Sequence, residues 1–168
     1  PLLEETTGAN RERTVARYPP AEALVDVPSA RRWTYAELNT EIDQVAKALI
    51  ASDIQRGDRV GVWAPNCPEW TILQYATAKI GAILVPVNPA YRTHELAYVL
   101  RQSGTRLLVS ATSFKTSDYR RMVTEVRDEV PDLTDVVFLG TADWHRLTRR
   151  ADGVSAGQLR RRGATLTP

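Results

Sequence analysis

Four short apolar runs, beginning at Arg59, Ile83, Arg106 and Val136, are separated by segments whose apolar residues repeat at helical spacing. Arg59 to Ala64, Ile83 to Val87, Arg106 to Val109 and Val136 to Leu139 have the length and composition of strands. Between them, Trp70, Leu73, Thr77 and Ile80 run up to Gly81. Thr93 serves as a cap before Leu96, Val99 and Leu100, which end at Gly104, and Tyr119, Met122 and Val126 precede Pro131. This alternation leaves few arrangements open, because each helix must carry the chain across the sheet to a parallel neighbour, in a right-handed crossover. The expected fold class is α/β, a mostly parallel sheet with flanking helices.

Upstream, Ala23 to Asp26 and Arg32 to Thr34 flank a turn at Pro28-Ser29-Ala30 and read as a hairpin. Thr34 and Glu37 stand at capping-box spacing, so a helix is predicted to start there. Its apolar face is Leu38, Ile42, Val45 and Leu49, and it stops before Gly57. A second cap is expected between Asn66 and Glu69, with Pro68 in the first turn. Residues 1–20 lack sustained periodicity and are expected to be a peripheral leader with some helix. Residues 21–139 form the α/β core of one domain. Residues 140–168, with six arginines, four glycines and few large apolar residues, read as a surface excursion with a short helix over 156–161.

A chain of 168 residues that is 43% hydrophobic and 25% charged can bury a core without disulfides, and disorder is excluded on composition. No apolar run has transmembrane length, and the first twenty residues lack the apolar centre of a secretion signal. Cys67 stands alone, which fits a reducing compartment, so a cytoplasmic location is expected. A net charge of +2 gives no reason to expect nucleic acid as a partner.

Several chemistries have no residues to carry them in the sequence. There is no Gly-x-x-x-x-Gly-Lys-Ser/Thr loop, no Gly-x-Gly-x-x-Gly turn and no Gly-x-Ser-x-Gly elbow. His94 and His145 lack partners at metal-ligand spacing, so no metal site is expected. Trp33, Trp63 and Trp70 fall at element boundaries or core positions and are read as packing residues.

The run from Lys79 to Arg92, KIGAILVPVNPAYR, followed by His94-Glu95-Leu96 and Ser103-Gly104, resembles a core motif of adenylate-forming enzymes. Trp33 to Leu38, Gly57 to Val60 and Ala64-Pro65-Asn66 resemble further elements of that family in the same order. The resemblance covers residues 21–139, and Asn88 to Leu96 is more similar to medium- or long-chain fatty acyl-CoA ligases than to peptide-synthetase domains. It implies the amino-terminal subdomain of the adenylate-forming fold. The implied reaction is attack of a fatty-acid carboxylate on ATP, with Mg2+ offsetting phosphate charge, followed by transfer of the acyl group to CoA.

The family's phosphate loop and catalytic lysine lie downstream of everything in this chain, so the resemblance implies an amino-terminal fragment with no catalytic residue of its own. Gly81, Pro86, Asn88, Pro89 and Tyr91 are the core-motif positions, with mainly structural roles. Arg92 and Arg101 are the candidates to meet a phosphate of CoA. Tight binding of ATP, Mg2+ or CoA to this chain alone is not expected, while self-association through exposed apolar surface is. The alternatives are a stand-alone binding domain of the same fold, or part of another acyl- or aryl-adenylating enzyme.

Overall fold

The computed structural model describes residues 4–168. The first helix, α1 (Thr7–Arg17), is followed by the antiparallel hairpin β1 (Glu22–Asp26) and β2 (Arg31–Thr34), then α2 (Tyr35–Ala51). The α2 start follows from its capping box: the Thr34 hydroxyl accepts from the Glu37 N–H at 3.2 Å, and the Glu37 carboxylate accepts from the Thr34 N–H at 2.8 Å. Leu38, Ile42, Val45 and Leu49 are all buried on one face. Each such aliphatic side chain contributes about 1.5–3 kcal/mol relative to exposure.

The alternating segments form β3 (Arg59–Trp63), α3 (Pro68–Ile80), β4 (Ile83–Pro86), α4 (Thr93–Ser103) and β5 (Thr105–Ser110). After a two-residue pair of strands, β6 (Ser113–Phe114) and β7 (Ser117–Asp118), come α5 (Tyr119–Val126), β8 (Asp135–Phe138), α6 (Ala142–Arg149) and α7 (Ala156–Ala164). The main sheet is parallel throughout and its strand order is β4-β3-β5-β8.

Side chains alternate between two cores, as the pleat requires. Val60, Val62, Leu107 and Val109 pack with α2 and α3, whereas Leu108 packs with α4 and α5 on the opposite face. β4 is an edge strand, so the ring of Pro86 removes an N–H that no neighbouring strand requires.

Several expectations change in detail. Cys67 is the N-cap of α3 without a side-chain bond, and Pro68 is its first residue. Arg92, not Thr93, is the N-cap of α4, with the Glu95 carboxylate accepting from the Arg92 N–H at 3.0 Å. The β6–β7 pair was not anticipated, since two-residue strands are too short to show a period.

Residues 1–20, expected as a peripheral leader, include a docked helix. Arg11 on α1 is buried, with its guanidinium 4.4 Å from the centre of the Tyr75 ring, and Lys79 on α3 hydrogen-bonds Glu12. This docking uses polar and cationic side chains, so no apolar period betrays it. The segment 140–168, expected as a surface excursion with a short helix, is largely exposed and carries α7, but it is anchored to the core at several points. Leu147, Ala151 and Leu159 are buried, with Trp144 against the same core. Sparse apolar residues at positions 144, 147 and 151 share one face, and that suffices for docking.

Candidate functional site at the carboxyl edge of the sheet

The turn after β4, Asn88 to Arg92, lies at the carboxyl edge of the parallel strands, where open α/β sheets place their ligands. Its shape is set locally and from beneath. The Asn88 side-chain oxygen accepts from the Ala90 N–H at 2.9 Å, and the Asn88 carbonyl accepts from the Tyr91 N–H at 3.0 Å. Asparagine suits this position because its amide imitates a backbone turn.

Beneath the turn, two fully buried rings complete the hydrogen bonding. Trp63, the last residue of β3, donates its indole N–H to the Asn88 carbonyl at 3.0 Å. Tyr119, the first residue of α5, donates its hydroxyl to the Pro89 carbonyl. The rings are stacked with centroids 3.5 Å apart and planes 5° from parallel. Burial pushes the Tyr119 hydroxyl up to about 12, so it stays protonated and remains a donor at neutral pH. By spacing alone Tyr119 is no more than a core position of α5. Its signal lay in its chemistry, since a buried phenol requires a polar partner.

Gly81 and Pro86 prepare the turn from the other end. Gly81 ends α3 with φ +74°, and an added Cβ would stand 2.5 Å from Leu166 Cδ2. Tyr91 is half-buried against the core formed by α4 and α5.

Arg92 is exposed, and its Nη1 donates to Ser117 Oγ on β7 at 2.7 Å. Lys115 occupies the β6–β7 turn, and the Arg120 guanidinium lies 5.4 Å from the Phe138 ring at the end of β8. Of these cationic groups only Arg92 belongs to the turn itself, and it is the one the motif points to.

Arg101 is elsewhere. It lies in the last turn of α4, whereas Arg92 caps the first, so about 13 Å of helix separates them. The Arg101 guanidinium is 3.7 Å from the Glu129 carboxylate. The structure does not bring the two arginines to one phosphate.

Burial pushes the Cys67 thiol up to about 11, which keeps it protonated. Both His94 and His145 are exposed. Among the described residues, no three His, Cys, Asp or Glu side chains gather in a set able to hold a metal ion. No helix among them is long and apolar enough to cross a membrane.

The sequence profile of the AMP-binding enzyme family matches residues 11–160. The chain belongs to the AMP-binding enzyme family. Among AMP-binding relatives, the mitochondrial medium-chain acyl-CoA ligase ACSF2 of Macaca fascicularis is 41% identical over 149 residues, covering 81% of this chain and 24% of the relative. The putative acyl-CoA synthetase YngI of Bacillus subtilis (strain 168) is 39% identical over 134 residues, covering 80% and 24%. The chain thus spans about a quarter of the length of these curated relatives.

Solved structures agree in fold. A fatty acyl CoA synthetase of Mycobacterium tuberculosis superposes with a TM-score of 0.77 at 26% identity, covering 86% of this chain and 28% of that one. The N-terminal domain of FACL13 from the same organism also gives 0.77 at 26%, with coverages of 90% and 37%. The expected amino-terminal subdomain of the adenylate-forming fold is therefore the observed one.

Proposed function

We propose that this chain is the amino-terminal part of a fatty-acid:CoA ligase that activates a medium- or long-chain fatty acid as its acyl-adenylate and transfers the acyl group to CoA. The observation that supports this most directly is the identity of 41% to a medium-chain acyl-CoA ligase across most of the chain, including the Asn88 to Arg92 turn. In this reading residues 21–139 are the core of the subdomain, and 140–168 lead toward the family's phosphate loop.

The chain's own contribution is positional. Asn88, Pro89 and Tyr91 hold the turn on the Trp63–Tyr119 pair, and Arg92 presents a guanidinium for a CoA phosphate, with the nitrogens not engaged by Ser117 free to donate. Arg101 is left with its helix-end ion pair. ATP and Mg2+, when bound to the whole protein, supply the activated phosphate and the charge that offsets it. No residue of this chain is assigned a catalytic step, and adenylation by the 168 residues alone is not expected.

The deciding experiment is fatty-acid-dependent ATP–diphosphate exchange by the product of the complete open reading frame, beside the 168-residue chain. Exchange by the former and not the latter is expected. A folded full-length product inert toward every acyl chain sinks the reading. Arg92→Ala in the active protein should raise the KM for CoA and leave the exchange step unchanged.

Two further parts of the reading concern location and assembly. A cytoplasmic location rests on the lone Cys67, whereas ACSF2 relatives are named mitochondrial, so fractionation of the source cells decides it. Self-association rests on Ile83, 52% exposed on edge strand β4, and light scattering that stays monomeric across concentration removes it.

A further inference from the structure

At the amino edge of the sheet, opposite the Asn88–Arg92 turn, a shallow groove of about 470 Å³ lies between the end of α2 and α7. Its lining is Ile50, Arg56, Gln158, Arg161, Arg162 and Thr165, three guanidinium groups with no carboxylate among them. Nearby arginines differ: Arg106 pairs with Asp58 at 2.7 Å, and Arg150 pairs with Asp135 at 2.7 Å. Among the described residues, no Asp or Glu carboxylate comes within ion-pair distance of Arg56, Arg161 or Arg162.

Two of the three are held in place by neutral acceptors. Arg56 Nη1 donates to the Thr165 carbonyl at 3.1 Å. Arg162 Nη2 donates to Gln55 Oε1 at 3.0 Å and to the Ile54 carbonyl at 3.4 Å. These bonds order the side chains without cancelling their charge, and each guanidinium keeps further N–H groups, since its fork carries five donors. The Arg161 side chain makes no hydrogen bond or ion pair among the described residues. Three like charges sharing one groove repel one another, and an anion between them reverses the sign of that interaction.

We propose that this groove is a binding site for a phosphate-bearing anion, with Arg161 as the free arm and Arg56 and Arg162 as fixed walls. A phosphate or diphosphate suits it better than a single carboxylate, because several oxygens are needed to engage three forks that approach from α7 and from the loop between α2 and β3. The alternative role for these arginines is to cap helix-end carbonyls, which accounts for Arg56 and Arg162 and leaves Arg161 without a function.

The test is titration of the folded chain with inorganic diphosphate at low salt, following the arginine Nε–H signals by NMR. Saturable shifts at Arg56, Arg161 and Arg162 are expected, fading as salt is raised. Arg161→Gln, which breaks no internal bond, should weaken binding about tenfold, while Arg17→Gln at the far end of α1 should leave it unchanged. Absence of saturation, or equal weakening by Arg17→Gln, overturns the site and leaves only a solvated basic surface. A second titration with vesicles of phosphatidylglycerol, against phosphatidylcholine, identifies the source of the phosphate. Displacement of diphosphate by the anionic vesicles assigns a lipid headgroup, and failure to displace it assigns a soluble ligand.

Discussion

The ring of Trp63 lies flat against that of Tyr119, centroids 3.5 Å apart, and the two deliver their polar hydrogens to consecutive carbonyls, Asn88 and Pro89. One ring ends a central strand and the other begins a helix, and both belong to one core cluster, so the pair ties the Asn88–Arg92 turn to the sheet.

Removing one of those hydrogens should cost more than an ordinary hydrogen bond at the surface. Tyr119→Phe keeps the stack but leaves the Pro89 carbonyl without its donor, for a loss of about 1–2 kcal/mol. Urea denaturation measures it, and stability equal to the parent protein would mean that water replaces the hydroxyl.

Gly81 and Gly57 are both left-handed, with φ of +74° and +84°, but only Gly81 is crowded. Gly57→Ala should cost about 1 kcal/mol, from backbone conformation alone. Gly81→Ala should cost about 1 kcal/mol more, because its Cβ meets Leu166. A double-mutant cycle with Leu166→Ala should remove the excess, and equal costs for the two single variants would contradict the contact.

Lys79 is 6% exposed, with its ammonium hydrogen-bonded to Glu12 on α1, to Asp43 on α2 and, at 3.0 Å, to Asn39 on α2. Lys79→Met should destabilise the chain by about 1–2 kcal/mol, below the figure for a fully buried pair, because water reaches both carboxylates. Hydrogen exchange should accelerate in α1 before it does in α4. Uniform acceleration would place the effect in the whole fold.

Asp58 titrates below the usual aspartate range. Burial alone would raise it, but the Gln55 N–H and the Arg106 guanidinium hold it down. A carboxyl depressed on folding contributes stability above its unfolded value, near 4, and loses it as pH falls through the folded value. Asp58→Asn should therefore lower stability by about 1 kcal/mol at neutral pH, with the gap closing below about pH 4. A gap unchanged by acid would assign the effect to packing.

The local parts of this protein were legible in order. Thr34 and Glu37 mark the start of α2, Gly81 and Gly104 mark the ends of α3 and α4, and the buried faces of α2 and α5 follow their apolar spacing. The Asn88–Arg92 turn was also legible as a motif at a strand end. What supports it was not, because Trp63 and Tyr119 are 25 and 30 residues from the carbonyls they serve and look like ordinary core residues in the sequence.

By itself, then, the sequence determined the element types, their caps and the parallel α/β class, all of which depend on contacts within a few residues along the chain. Only the tertiary structure decided that β3 lies between β4 and β5, that α1 docks through Arg11 and Lys79, that Arg92 and Arg101 stand apart, and that Arg56 and Arg162 share a groove. The reason is physical: periodicity reports which face of an element is apolar, whereas strand order and the meeting of charged side chains depend on distant segments brought together by burying those faces.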